Sequence, residues 1–172
     1  AAPKRVLFER LSPRLGSLCD IPDLELFPTH YQVRERMHFS AAVEVGLAQR
    51  AFALLAWLRQ IGLLKNPSAL AGILNASANL FDPFGSALGG MVVRLAGLDA
   101  QGKAAKRAWH IAADHGHGPE IPCMAAILLA RRLAGGEPLS IGAYPCVGMN
   151  RLEDFAPEFS KWGMVTDVVE ED

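Results

Sequence analysis

Residues 89–133 read GGMVVRLAGLDAQGKAAKRAWHIAADHGHGPEIPCMAAILLARRL, and this stretch decides the fold. Residues 91–96 form a strand candidate. Asp99, Ala100, Gln101 and Gly102 supply turn residues, with Gly102 free to take positive φ. The chain then returns along 104–113, so an antiparallel hairpin is the economical reading. In the returning strand Trp109 and Ile111 share one face, Lys106 and His110 the other. Next comes Asp114-His115-Gly116-His117-Gly118-Pro119-Glu120, the densest polar cluster of the chain. An almost entirely apolar helix follows, opened by Pro122, favoured at its negative end by Arg131 and Arg132, and stopped by Gly135-Gly136. Any chemistry belonging to the chain is expected in that polar cluster, between strand and helix.

Outward from the hairpin, the same alternation rules identify the other elements. Residues 31–45 alternate: Tyr31, Val33, Met37, Phe39, Ala41, Val43 and Val45 fall on one parity, Arg34, Arg36 and His38 on the other. Period two predicts a long antiparallel strand with one face on a core. Residues 46–64 switch to helical period, with Leu47, Ala51, Leu54, Leu55, Leu58 and Ile61 as the stripe and Phe52 and Trp57 on its shoulders. Asn66-Pro67 caps a further helix striped by Leu70, Ile73, Leu74, Leu80 and Phe81. The four prolines of residues 3–30 break that segment into a connecting arm, with a brief strand near 6–8 and a helical turn over 22–27. Asn150 is read as the cap of a helix carrying Leu152, Phe155 and Phe159, kinked at Pro157, and 164–169 as a last strand.

These elements predict an α+β fold: an antiparallel or mixed sheet of about four to six strands, with helices mainly on one face. The 172 residues, 51% of them hydrophobic, suit one domain over 1–172, with 1–30 as the arm and 31–172 as sheet plus helices. A net charge of −1 and the lack of a basic aromatic run give no case for a nucleic-acid partner. Gln49, Arg50, Arg59 and Gln60 interrupt the longest hydrophobic region, which predicts no membrane span. Three scattered cysteines (Cys19, Cys123 and Cys146) suit small core or boundary positions in a reducing compartment, hence a cytoplasmic location. The opening Ala-Ala-Pro-Lys is unlike a translation start and points to a processed or excised chain.

Residue chemistry leaves several readings open. No P-loop, HExxH, GxSxG or CxxC occurs, and no GxGxxG follows a strand, so no cofactor-binding residue is assigned in this chain. The glycines of 85–90 precede a strand, where they cannot seat a pyrophosphate on a helix N-terminus. His115 and His117 are the candidates for substrate hydrogen bonding or proton transfer, because imidazole titrates near neutrality. Asp114 and Glu120 are candidates for substrate binding; with the histidines they also offer metal donors, although a solvated loop explains the cluster better and no metal site is assigned. Arg34, Arg36 and His38 form a second candidate set, suited to an anionic substrate.

Taken in order, DIPDLELFP at 20–28, FDPFGS at 81–86, GGMVV at 89–93, WHIAADHGHGPEIP at 109–122, YPCVGM at 144–149 and LEDF at 152–155 resemble the C-terminal part of bacterial saccharopine dehydrogenase-like oxidoreductases. The resemblance covers the chain from about Asp20 to Thr166. It implies a substrate-side and association domain, a missing N-terminal Rossmann domain carrying NAD or NADP, and a homodimer. It also implies that this chain alone has no dehydrogenase activity, since hydride transfer needs the nicotinamide held against the substrate. No catalytic residue carries over from the family. Two alternatives stand beside this one: a free-standing module enclosing a hydrophobic small molecule between sheet and helices, and a small metal-dependent enzyme using residues 114–120.

Overall fold

A computed structural model describes residues 2–78 and 82–171. The fold is α+β; the described residues form five α-helices and two three-stranded antiparallel sheets. The chain forms two compact units, Ala1–Leu7 with Ser12–Ser86 and Phe8–Leu11 with Ala87–Asp172.

In the first unit, β1 (Lys4–Val6), β2 (Arg14–Leu18) and β3 (Ser40–Ala41) make one sheet in that order. Residues 1–30, expected as a connecting arm, thus contribute two of its strands. Gly16 lies at the crowded centre, where a Cβ would sit 2.9 Å from Val6 Cγ2 and 3.1 Å from Ser40 Oγ. Helix α1 runs from Asp23 to His30, against the turn expected over 22–27. Helix α2 (Gly46–Gln60) follows β3, and a 3-10 turn (Pro67–Leu70) leads into α3 (Ala71–Ala78). Leu80 and Phe81, assigned to the stripe of that last helix, lie outside the described residues.

The long strand expected over 31–45 is absent; only Ser40–Ala41 is strand. Helix α1 consumes the start of the segment, since the N–H of Tyr31 donates to Phe27 O at 2.8 Å and that of Val33 to Pro28 O at 2.9 Å. Gln32 then takes φ +53°, which ends any extended run. A strand also needs a partner for its backbone groups. The available edge belongs to β2, five residues long and already paired with β1 on its other side. The ladder therefore stops at Ser17↔Ala41 and Leu18↔Ser40, plus Cys19 N–H to Phe39 O at 3.1 Å. Tyr31, Val33, Phe39 and Val43, the supposed core parity, are all exposed.

Helix α2 departs from its expected stripe in a second way. Leu47, Leu54 and Ile61 are exposed, as are Phe52 and Trp57, and the buried residue of the helix is Gln49. Its amide is satisfied on both sides: Oε1 accepts the N–H of Val43 at 3.0 Å, and Nε2 donates to Ser17 Oγ at 2.7 Å. A polar side chain that helical periodicity treats as an interruption is here the one that joins helix to sheet.

In the second unit the hairpin forms as the sequence implies. β4 (Gly89–Leu98) pairs with β5 (Ala104–Ala113) through ten registered positions, from Gly89↔Ala113 to Leu98↔Ala104. Gly102 takes φ +78°, and Asp99 Oδ1 accepts the N–H groups of Gln101 and Lys103 at 2.9 and 2.8 Å, closing the turn. The third strand, β6 (Val165–Glu170), pairs antiparallel with β5, with His110 opposite Asp167. Ile111 and Ala113 pack with Met124 of α4 (Glu120–Ala134) and with Met164. Trp109, Ile121, Phe155, Phe159 and Trp162 surround that core.

Helix α4 starts at Glu120, before Pro122, and buries one side only, since Cys123 and Leu133 are exposed. Cys19 and Cys146 are exposed as well, which corrects the expectation of core or boundary cysteines. Pro157 does not kink a helix; it lies in the first turn of α5 (Ala156–Lys161), where its missing N–H costs nothing. The 3-10 turn before α5 (Leu152–Phe155) is capped at Arg151, whose N–H donates to Asp154 Oδ2 at 2.7 Å. Asn150, expected as the cap, instead accepts from Arg132 Nη1 at 3.1 Å.

Candidate functional site

The polar loop leaves β5 at Ala113 and enters α4 at Glu120. Its shape is set by backbone. Asp114 Oδ1 accepts the N–H of His115 at 2.6 Å, and the N–H of His117 returns to Asp114 O at 3.0 Å. His115 sits at φ +54° and Gly116 at +78°. A non-glycine residue in the left-handed region is uncommon, and such conformations concentrate at functional sites. The loop is pinned to the start of β4 in two places. Gly116 N–H donates to Ala87 O at 3.0 Å. Gly118 also crosses Gly89 so closely that a Cβ on Gly89 would lie 2.7 Å from Gly118 Cα.

Two of the candidate side chains come together. His117 Nδ1 lies 3.3 Å from Glu120 Oε1, and both side chains are about one-third exposed (31% and 30%). The His117 ring leans on Trp162, with centroids 4.8 Å apart at 56°, and Lys161 Nζ stands 5.2 Å from that indole's centroid. A carboxylate can only accept, so Nδ1 of a neutral His117 carries the proton and Nε2 presents a lone pair. Glu120 Oε2 is a buried oxygen without a hydrogen-bond partner. Glu120 lies in the first turn of α4, where the helix dipole favours its charge. The arrangement offers an imidazole acceptor, oriented by a carboxylate, beside an aromatic wall.

The other candidates stand apart. Asp114 and His115 are exposed, and Asp114 serves the backbone of the loop. Arg34, Arg36 and His38 are exposed in the irregular segment between α1 and β3, so the sheet face that was to gather them does not exist. Trp162 was not singled out by sequence reasoning. It lies 45 positions after His117, beyond the reach of local pattern, and its one signal is its place at the end of α5 before Gly163 at φ +63°. Among the described residues, no three His, Cys, Asp or Glu side chains converge as metal ligands would. Gly85 precedes β4, and Gly89 and Gly90 are its first two residues.

Comparison with protein families, with characterised proteins and with solved structures finds no match to this chain.

Proposed function

We propose that this chain is the substrate-side and association domain of an NAD(P)-linked oxidoreductase of the saccharopine dehydrogenase-like kind. In this reading it works as a cytoplasmic homodimer with an N-terminal Rossmann domain that supplies the NAD or NADP. The observation that carries the reading is the His117–Glu120 pair set against the Trp162 ring. The Nε2 lone pair is the natural acceptor for a proton released when a hydroxyl or amine is oxidised. The ordered motifs of residues 20–166 supply the family part of the proposal. No helix among the described residues is long and apolar enough to cross a membrane.

The decisive test is the coding sequence upstream of Ala1. We expect a strand, a GxGxxG turn and a helix in the same frame; a start codon immediately before Ala1 would overturn the proposal. Calorimetry with NADH and NADPH gives an independent check on the isolated chain. No binding is expected, and micromolar affinity for either would contradict the assignment of the nucleotide site to another domain.

One observation favours a second reading, a module for hydrophobic small molecules. Between α2 and the strands β2 and β3 lies a hollow of about 320 Å³, lined by Leu18, Val43, Phe52 and several alanines, with Cys19 and Gln49 at its wall. That volume lies at the lower end of ligand pockets, about 300–1,000 Å³. Native mass spectrometry of the purified protein would settle the matter by a retained apolar mass.

A further inference from the structure

Neighbouring residues on a strand point to opposite faces, so the face of the second sheet that carries His110 is not the one that packs on α4. On that face Ala108 is fully buried and His110 is 7% exposed. The covering segment is short and distant in sequence. The N–H of Glu9 donates to His110 Nδ1 at 3.3 Å across 101 positions. Arg10 grips Asp167 with two hydrogen bonds, Nε to Oδ2 at 2.6 Å and Nη2 to Oδ1 at 2.7 Å. Leu11 is 7% exposed, and its Cδ1 occupies the space over Gly90, where a Cβ would lie 2.9 Å away.

We propose that His110 makes residues 8–11 a proton-operated latch: the neutral imidazole holds the Glu9 end of this strap on the sheet, and protonation releases it. The geometry dictates the direction. Nδ1 accepts a backbone N–H, so the proton of neutral His110 is on Nε2. A second proton has only Nδ1 to occupy, and there it turns an acceptor into a donor facing the Glu9 N–H. Two donors then point at each other, and the bond is lost.

Charged groups face His110 from the strap and from the strands beside it. Asp167 stands opposite it on β6. Arg10, on the strap, repels it, but its charge is matched by the same Asp167. Glu9 is on the strap itself, and Lys106 shares the face further along β5. On β4 the partner of His110 is Val92, and Arg94, next on that face, is paired with Glu171 at 2.8 Å. Asp167 stays ionised while imidazoles titrate, because Arg10 and then His110 hold its carboxyl below the usual range. The Arg10 anchor therefore survives when the Glu9 anchor is lost, and the strap opens from one end.

The test is amide hydrogen exchange at Glu9, corrected for intrinsic rate, at pH 8 and pH 5, with nitrogen NMR of the His110 ring. Protection of Glu9 should fall roughly ten-fold or more at the lower pH, following one protonation, while Trp109–Ala113 keep theirs. The neutral ring should carry its proton on Nε2. In His110→Gln, whose amide oxygen accepts without titrating, Glu9 should be equally protected at both pH values. Unchanged Glu9 protection in the wild type, a neutral ring protonated on Nδ1, or parallel loss in β5 would each overturn the latch. If His110→Gln does not fold, the wild-type ring nitrogens and Glu9 amide decide.

Discussion

Two glycines of β4 meet opposite surroundings. A Cβ on Gly89 would sit 2.7 Å from the Cα of Gly118, backbone against backbone, whereas one on Gly97 meets nothing within 4 Å. Gly89→Ala should therefore destabilise the protein by about 1–3 kcal/mol, as overpacking does, and pull the 114–120 loop off its strand. Gly97→Ala should be neutral or stabilising by up to about 1 kcal/mol, because alanine loses less entropy in a strand. Thermal melts of the two variants side by side check both. At the loop itself, if the proposed function holds, His117→Ala in an oxidoreductase that joins this chain to a nucleotide domain should lower turnover at least ten-fold and leave cofactor affinity nearly unchanged. His115→Ala should have the smaller effect, since His115 lacks the carboxylate partner and the aromatic wall. Wild-type turnover in both would remove the loop from the mechanism. The sequence marks Gly116 and Gly118 as places where backbone comes close to something. That the something for Gly118 is another glycine of the same chain is set by tertiary crossing, which local pattern does not contain.

Elements were legible where both halves of the reason lay close together. The β4–β5 hairpin needs two strands and the turn between them, all within 89–113, and it formed with its turn chemistry as read. The segment 31–45 alternates as well as any strand, but its partner would have had to come from residues before Pro22, where prolines leave only short runs. Alternation states which faces a strand would have; it does not provide a ladder. Helix α2 teaches the converse. Its period was right and its orientation wrong, because the buried position is chosen by the hydrogen bonds Gln49 makes to Val43 and Ser17. Gln49→Leu should accordingly lower stability, by about 1–3 kcal/mol, although it makes the helix more apolar. A urea midpoint shifted downward checks this. The same orientation leaves Phe52, Leu54 and Trp57 exposed. Exposed apolar patches mark contacts, so sedimentation at micromolar concentration should show dimers, weakened by Trp57→Ala. A clean monomer at that concentration, with Trp57→Ala unchanged in solubility, would contradict it.

At the scale of the molecule, the α+β class was readable because it depends on periods of two and 3.6 that each stretch carries within itself. The membership of residues 8–11 was not, because it rests on pairings across 101 and 157 positions. Acid should probe that membership separately from the latch. The carboxyl of Asp167, held below its usual range chiefly by its hydrogen bond from Arg10, favours the folded state above the ordinary aspartate range. That contribution fades as pH falls through the depressed value, so Arg10→Ala should matter at neutral pH and cease to matter in strong acid, as acid titration of the two melting curves would show. The strap has one more consequence, for the order of events during synthesis. Residues 8–11 leave the ribosome long before Asp167, and the unit they complete cannot close until the ribosome has passed that residue. The nascent chain must carry Leu11 uncovered until then. A fragment begun at Ala87 would leave Gly90 without Leu11, His110 without the Glu9 N–H and Asp167 without Arg10, all of which a peptide of residues 7–13 added from outside would restore.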